Sequence, residues 1–335
     1  MKDINFDDYD IFSEDSNFEI LNLKTNKFQS KLDGLINNLD QFQSDIVLNK
    51  DIHKPLKVTA NAGSGKTFCL LTKALKMVIR DDIDADRIVL ITFTNKAANE
   101  IKDRYIDFFK DLVSDEELND MLIPHMSTIH SFSCSLLYKL YGIRRTIITE
   151  SHASTLLKAA MKDVLKLNKI SKDLFNSVYT AIESIFSNNE VHYFCIPTFN
   201  PNGTFCKMIY PEENGELYKS FDKFSLRALA TKIGKDEVEP TQYYIDAYVK
   251  STGLGLDSFR KILSNFLRTK YASNIMGFSD MQYITFCVLT EYPNIRDIVW
   301  RKYHHFIVDE AQDLDALEFG LMVSCDKDAY NRFVK

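Results

Sequence analysis

Gly63-Ser64-Gly65-Lys66-Thr67 is the segment with the clearest chemistry in the chain, and it closes the stretch LKVTANAGSGKT of residues 56–67. Glycines there let backbone N–H groups turn inward onto phosphate oxygens, and a helix beginning at the lysine adds the positive end of its dipole. Lys66 is then placed for the β- and γ-phosphates of a nucleotide and the Thr67 hydroxyl for Mg²⁺. Ala60, Asn61 and Ala62 complete the loop; Ala60 departs from the strict pattern, which has glycine at that first position. The plain alternative is a Gly-Ser turn beside a surface lysine. A second candidate, HHFIVDEAQD at residues 304–313, lies far downstream. Apolar Phe306, Ile307 and Val308 end in an acidic cluster, which is how a strand delivers a carboxylate to the C-terminal rim of a parallel sheet. Asp309 is placed to hold Mg²⁺, directly or through water, and Glu310 to orient or deprotonate an attacking water. A charged strand exit of no catalytic consequence is the alternative there.

The elements that must position these residues follow from periodicity. A short β-branched run, Val58 and Thr59, precedes the loop, and an amphipathic segment over residues 68–80 follows it, so the expectation is strand, phosphate loop, helix. Before it, the spacing of Leu32, Leu35, Ile36, Leu39, Ile46 and Val47 predicts one or two helices over residues 28–48. After it, residues 87–93 form a continuous apolar run suited to a buried parallel strand, and Thr94 caps a helix running to about residue 112. Residues 126–130 followed by a helix over 131–141 read as a third such unit. Strands alternating with helices imply a parallel sheet covered on both faces. The middle of the chain loses that rhythm. It reads as helices over 151–167, 173–186, 217–232 and 256–271, interrupted by a Pro/Asn/Gly-rich loop over 188–215 and by Ser251-Thr-Gly-Leu-Gly255. Strand character returns at 304–308, and residues 314–325 read as a helix. Residues 1–30, rich in Asp and Asn, are expected to be a poorly ordered extension.

Composition sets outer bounds. With 335 residues the chain can bury a substantial core and is expected to hold two domains. The N-terminus is acidic where a signal peptide would be basic and then apolar, and no apolar stretch is long enough to span a membrane, so a cytoplasmic location is expected. Six scattered cysteines form no C-x-x-C pair and fit reduced, mostly buried thiols. The net charge of −6 is misleading as a guide to partners: residues 1–50 hold ten Asp and Glu against five Lys, so most of the excess sits in one region. Residues 217–272, with ten Lys and Arg against six acids, are mildly basic, which a solvated helical surface explains as well as a nucleic-acid groove does.

Lys66 and Asp309 are 243 positions apart, more than a single nucleotide-binding core needs between phosphate loop and Mg²⁺ carboxylate. Either the motifs are unrelated or a domain is inserted between them. Leu39-x-x-x-Gln43, residues 60–67, Thr92-Phe-Thr-Asn-Lys-Ala-Ala98, Thr128-Ile-His130 and Asp309-Glu-Ala-Gln-Asp313, in this order and spacing, resemble the UvrD/Rep-type superfamily 1 DNA helicases. Phe278-Ser-Asp-Met281 also looks like a segment of that family. The resemblance implies a RecA-like P-loop NTPase parallel sheet, an α/β fold, with a mainly helical inserted domain. The lobe would comprise residues 31–132 plus 272–335, and the insertion residues 133–271.

By that resemblance Gln43 reads the adenine edge, residues 60–67 bind ATP, and Asp309 and Thr67 hold Mg²⁺. Glu310 serves the hydrolytic water, and Gln312 couples the γ-phosphate to a moving partner lobe. Thr92, Phe93, Thr94, Asn95 and His130 would meet single-stranded DNA, with core packing of Phe93 and helix capping by His130 as alternatives. The family motor closes two RecA-like lobes on ATP, and the second supplies arginines. Only 22 residues follow Asp313, without a G-D-x-x-Q segment, so the expectation is a first lobe, poorly active alone, with the second lobe on another polypeptide or in sequence not present here. The function implied is an ATP-dependent 3′-to-5′ DNA helicase or translocase. A non-enzymatic, nucleotide-gated DNA-binding or adaptor subunit of a repair-nuclease or phage-defence complex is the second reading. A phosphate-loop kinase would leave the 92–98 and 128–130 segments unexplained.

Overall fold

The computed structural model describes residues 23, 25–49, 56–61, 63–119, 121–141, 146–187, 191, 194–210 and 241–333. Two helices open the described chain, α1 (Asn26–Asn37) and α2 (Gln41–Leu48), and the phosphate loop leads into α3 (Lys66–Ile79). Phe28 and Leu32 on α1 are fully buried, so ordered structure starts inside the stretch expected to be an extension. Strand β1 (Ile88–Thr92), helices α4 (Asn95–Lys110) and α5 (Asp115–Asn119), strand β2 (His125–Thr128) and helix α6 (Ile129–Tyr141) follow as the alternation predicts.

Then come β3 (Thr146–Ile147), α7 (Glu150–Leu165), α8 (Lys172–Ser187), β4 (Ile196–Phe199), β5 (Phe205–Ile209), α9 (Thr241–Thr252), α10 (Leu256–Ala272) and β6 (Ile275–Met276). The chain ends with α11 (Phe278–Glu291), α12 (Pro293–Lys302), β7 (His305–Val308), α13 (Ala316–Cys325) and α14 (Lys327–Phe333). The helix expected over 217–232 lies outside the described residues. Within the expected 188–215 loop, β4 and β5 pair as an antiparallel hairpin around Asn200-Pro201-Asn202-Gly203. Gly203 takes φ of 73° there, a left-handed turn conformation that glycine adopts without penalty.

The central sheet has the order β2-β1-β7, all parallel. β1 is the middle strand because every one of its residues is buried, and alternate side chains serve opposite faces. Val89 and Ile91 join a core with Phe132, Leu136 and the helices α7, α8, α10 and α11, whereas Leu90 joins a second core with Phe28, Leu75, Ile101 and Tyr105. The first of these cores runs without a break from the sheet into the helices of the middle region. The parallel register sets Thr92 opposite Thr128, and Ile91 opposite Val308. One rim therefore carries the three segments that follow these strands.

One expectation fails. Residues 56–60 are not a strand of this sheet: Leu56 and Val58 are 50% and 38% exposed, and the segment runs as irregular backbone into the loop. Both edges of β1 are already occupied by β2 and β7, so two β-branched residues flanked by Lys57 have no buried edge to join.

Candidate nucleotide-binding site

The phosphate loop is shaped by two left-handed glycines, Gly63 at φ 78° and Gly65 at φ 79°. Neither conformation suits a residue with a Cβ, and at Gly65 an added Cβ would lie 2.9 Å from Gln43 Nε2. Gly65 also precedes Lys66, the first residue of α3, so the loop hands over directly to the helix N-terminus with its free N–H groups. Asn61 and Ser64 close the turn through a backbone bond, Ser64 N–H to Asn61 carbonyl at 3.3 Å. Ala62 lies outside the described residues.

Gln43 holds this loop from the side. It is the third residue of α2, where Asp40 and Gln43 form a reciprocal capping box: Gln43 N–H donates to Asp40 Oδ1 at 2.8 Å and Asp40 N–H to Gln43 Oε1 at 3.1 Å. Its Nε2 donates to the Ser64 carbonyl at 2.9 Å. One amide hydrogen and one lone pair are left for a ligand. At the other end of α2, Lys73 of α3 donates to the carbonyls of Val47 and Asn49 at 3.1 and 2.6 Å, capping the helix and locking α2 to α3. The D-x-x-Q spacing at 40–43 is a capping signature that could be read directly from the sequence; Lys73 has no such signature.

The late acidic strand reaches the same place. Asp309 N–H continues the β7 ladder onto the Ile91 carbonyl at 2.8 Å, which fixes Asp309 at the rim beside Thr92. Glu310 then turns sharply into the left-handed region, φ 49° and ψ 42°, and presents its carboxylate to the loop. Lys66 Nζ lies 3.3 Å from Glu310 Oε1 and donates to the Ala60 carbonyl at 3.3 Å. Gln312 Nε2 donates to Glu310 Oε2 at 2.6 Å.

Burial lifts the Asp309 carboxyl above the ordinary range, and the neighbouring Glu310 charge adds to that; the Glu310 N–H and Lys66 pull the other way. Glu310 is held below its ordinary value, first by the Gln312 hydrogen bond and then by Lys66. An acid held ionised beside a lysine, next to an acid that resists ionising without a cation, is the electrostatic pattern of a site awaiting a cation and a polyanion.

Among the described residues no group of three or more His, Cys, Asp or Glu side chains could by itself hold a metal. Asp309 and the Thr67 hydroxyl offer oxygens of the kind Mg²⁺ takes when substrate phosphates and waters fill the remaining positions, so these residues fit that ion.

The remaining predicted residues line the same rim. Thr94 caps α4, accepting Ala97 N–H at 3.1 Å, and Thr92 Oγ1 donates to the Thr94 carbonyl at 3.0 Å. Between them Phe93 is 64% exposed, so it does not pack into the core. Asn95 is exposed at the start of α4. His130 is the second residue of α6, partly buried, and the side chain that caps this helix is Thr128, which accepts Ser131 N–H at 3.3 Å.

A parallel α/β sheet whose rim joins a glycine-bent phosphate loop to a carboxylate strand is the architecture of a P-loop NTPase lobe. The UvrD/REP helicase N-terminal domain family model matches residues 39–330, and the chain belongs to that family. It is 28% identical over 299 residues to a probable DNA helicase II homolog of Mycoplasma capricolum, covering 87% of this chain and 33% of that protein. It is 25% identical over 273 residues to the ATP-dependent DNA helicase SRS2 of Saccharomyces cerevisiae, covering 81% of this chain and 20% of that protein. With an ATP-dependent helicase/nuclease polypeptide of Staphylococcus epidermidis it shares 32% identity over 155 residues, covering 44% of this chain and 12% of that protein. The chain thus spans a third or less of the length of these relatives.

Proposed function

We propose that this chain is the ATP-binding lobe of an ATP-dependent DNA helicase or translocase that moves 3′ to 5′ on single-stranded DNA. The observation that carries the reading is the 3.3 Å pair between Lys66 and Glu310, two residues brought together from opposite ends of the chain. In this reading residues 60–67 and Gln43 bind ATP, Lys66 neutralises its phosphates, and Thr67 and Asp309 hold Mg²⁺. The metal, when bound, spreads charge away from the β- and γ-phosphate oxygens. Glu310 orients the attacking water and accepts its proton, while Gln312 keeps that carboxylate aimed.

Thr92, Phe93, Thr94, Asn95 and His130 form the single-stranded DNA contact, with Phe93 offering an open aromatic face for a base to stack on. Residues 133–271 act as an inserted helical domain, and a second RecA-like lobe, on whichever polypeptide carries it, contributes arginines to the hydrolytic step. Among the described residues no helix is long and apolar enough to cross a membrane. A cytoplasmic location belongs to the same reading, as the place where such a motor meets nucleic acid.

The test is nucleotide binding and hydrolysis by the 335-residue chain, with and without single-stranded DNA, for the wild type, Lys66→Ala and Glu310→Gln. Lys66→Ala is expected to weaken nucleotide binding. Glu310→Gln is expected to keep binding and lose about 10²–10⁴-fold in turnover. Turnover unchanged by both substitutions would remove the catalytic assignment. Nucleotide binding with no hydrolysis in any variant would favour a nucleotide-gated DNA-binding protein.

A further inference from the structure

Glu310 sits in a backbone conformation that costs about 1–2 kcal/mol for a residue with a Cβ, so something must hold it there. Its near end is fixed by the β7 ladder at Asp309 and by the Glu310 N–H bond to Asp309 Oδ1 at 3.0 Å. The far end of the same loop is fixed by Glu318. That carboxylate is 8% exposed and sits one turn into α13. Its Oε2 accepts Asp315 N–H at 3.1 Å while Glu318 N–H donates to Asp315 Oδ1 at 2.8 Å, a capping box that clamps the end of the 309–315 loop.

A capping box on an exposed helix uses one side-chain oxygen and leaves the other in water. Here the second oxygen, Oε1, accepts a bond from Gln282 Nε2 at 3.1 Å, and Gln282, on α11, is 2% exposed. A buried carboxylate is costly unless both oxygens are satisfied, so the pair is a tie between two elements and more than a helix cap. Leu314 and Leu317, 8% and 1% exposed, anchor the same turn in the core. Between the two anchored ends Asp313 N–H donates to the Glu310 carbonyl at 2.8 Å, so tension at one end reaches the strained residue through two short links.

We infer that Glu318, oriented by Gln282, is a positioning residue that holds the 309–315 loop in the register which aims Glu310 at Lys66. The inference rests on the reading of Glu310 as the group that serves the attacking water, but its test is separable from that reading. Gln282→Leu strands Glu318 Oε1 in the core. Glu318→Gln can keep both bonds if the Gln282 amide turns over, offering its oxygen to the new amide donor.

Two measurements on the 335-residue chain decide it. In hydrogen exchange, Gln282→Leu is expected to speed exchange of the amides in 309–315 by at least tenfold while those of β1 keep wild-type protection, with Glu318→Gln close to wild type. In single-turnover hydrolysis, Gln282→Leu is expected to lower the rate about tenfold with nucleotide affinity unchanged, and to have no further effect in a Glu310→Gln background. Unchanged exchange at 309–315, exchange raised equally throughout the fold, or rate losses that multiply in the double variant would overturn the inference. If no variant and no wild-type sample hydrolyses ATP, the functional reading fails and the exchange result still decides whether Glu318 positions the loop.

Discussion

Two acidic clusters, one at the start of helix α11 and one at the exit of strand β7, are built on contrary rules. Asp280, near the start of α11, accepts four hydrogen bonds: both oxygens from Lys270 Nζ at 2.8 Å, one from Tyr271 Oη–H at 2.9 Å and one from Gly277 N–H at 2.6 Å. Both Asp280 and Lys270 are 4% exposed, and the ammonium lies 4.7–5.2 Å from the centres of the Phe186, Phe266 and Tyr271 rings. Every valence of the pair is used internally. Asp309, by contrast, is only half-buried and accepts Glu310 N–H alone among the described residues, and Glu310 shares its lysine with the mouth of the phosphate loop. The saturated cluster joins α10 to α11 and has nothing left to offer a ligand. The unsaturated one is held open by strain and by bonds from outside, which is what a site for a cation and a phosphate chain requires.

That contrast breaks first at the saturated cluster. Lys270→Met keeps most of the stem volume but leaves Asp280 as a buried carboxylate short of its counter-charge. Loss of one partner of a buried pair costs about 3–5 kcal/mol, and a drop of that size is expected in urea denaturation with the slope unchanged. Nucleotide affinity of the folded fraction should stay at the wild-type value. A loss under about 1 kcal/mol, the range of exposed pairs, would mean that Asp280 and Lys270 are not the closed cluster their burial indicates.

The next effect has the opposite sign. Glu310 is left-handed without being glycine, so Glu310→Gly removes a steric penalty together with the carboxylate. The fold is expected to gain up to about 1 kcal/mol while hydrolysis is lost, a trade of stability against function. The gain is limited because glycine is also freer in the unfolded chain. Thermal melts that place Glu310→Gly well below the wild type would show that the Lys66 contact stabilises the fold more than the strain costs, which would move this cluster toward the Asp280 type.

How much of this could be read from residues alone depends on how local the cause is. The phosphate loop, α3, β1, the Thr94 cap and the β7 exit are each specified within a dozen residues, and the structure puts them where the periodicity and the glycines require. Phe93 is ambiguous in sequence because strand-end phenylalanines commonly pack; only the register of β1 against β2 shows that its side chain stays in the open. The strand expected at 58–59 fails because strand formation needs a vacant edge, a property of the assembled sheet and not of two β-branched residues. The β4–β5 hairpin is hidden behind its own turn, since Asn-Pro-Asn-Gly marks a loop while the buried Ile196, Phe199 and Ile209 that flank it are too short a run to declare strands. The Gln282–Glu318 bond joins positions 36 apart on two helices, and no spacing rule reaches that far. The D-x-x-E half of it, Asp315 to Glu318, follows the same capping signature as Asp40 to Gln43 and is legible without coordinates.

The smallest effect expected bears most directly on the open carboxylate. Burial and the adjacent Glu310 raise the folded-state pKa of Asp309 above that of the unfolded chain, so the native state holds this proton the more tightly. Ionised Asp309 therefore subtracts from stability above its folded pKa, and the subtraction disappears as the pH falls below the unfolded value of about 3.9. Asp309→Asn never ionises. In melts without divalent cation the variant is expected to be slightly more stable than the wild type at about pH 7, with the difference closing on acidification toward about pH 4. Magnesium with nucleotide should reverse the order at neutral pH, raising the wild-type Tm by mass action and the variant's by less, because the variant offers a neutral oxygen where the ion favours a charged one. A variant less stable than the wild type at neutral pH in the absence of cation would identify Asp309 as a structural carboxylate of the same kind as Asp280, and the distinction between the two clusters would fall.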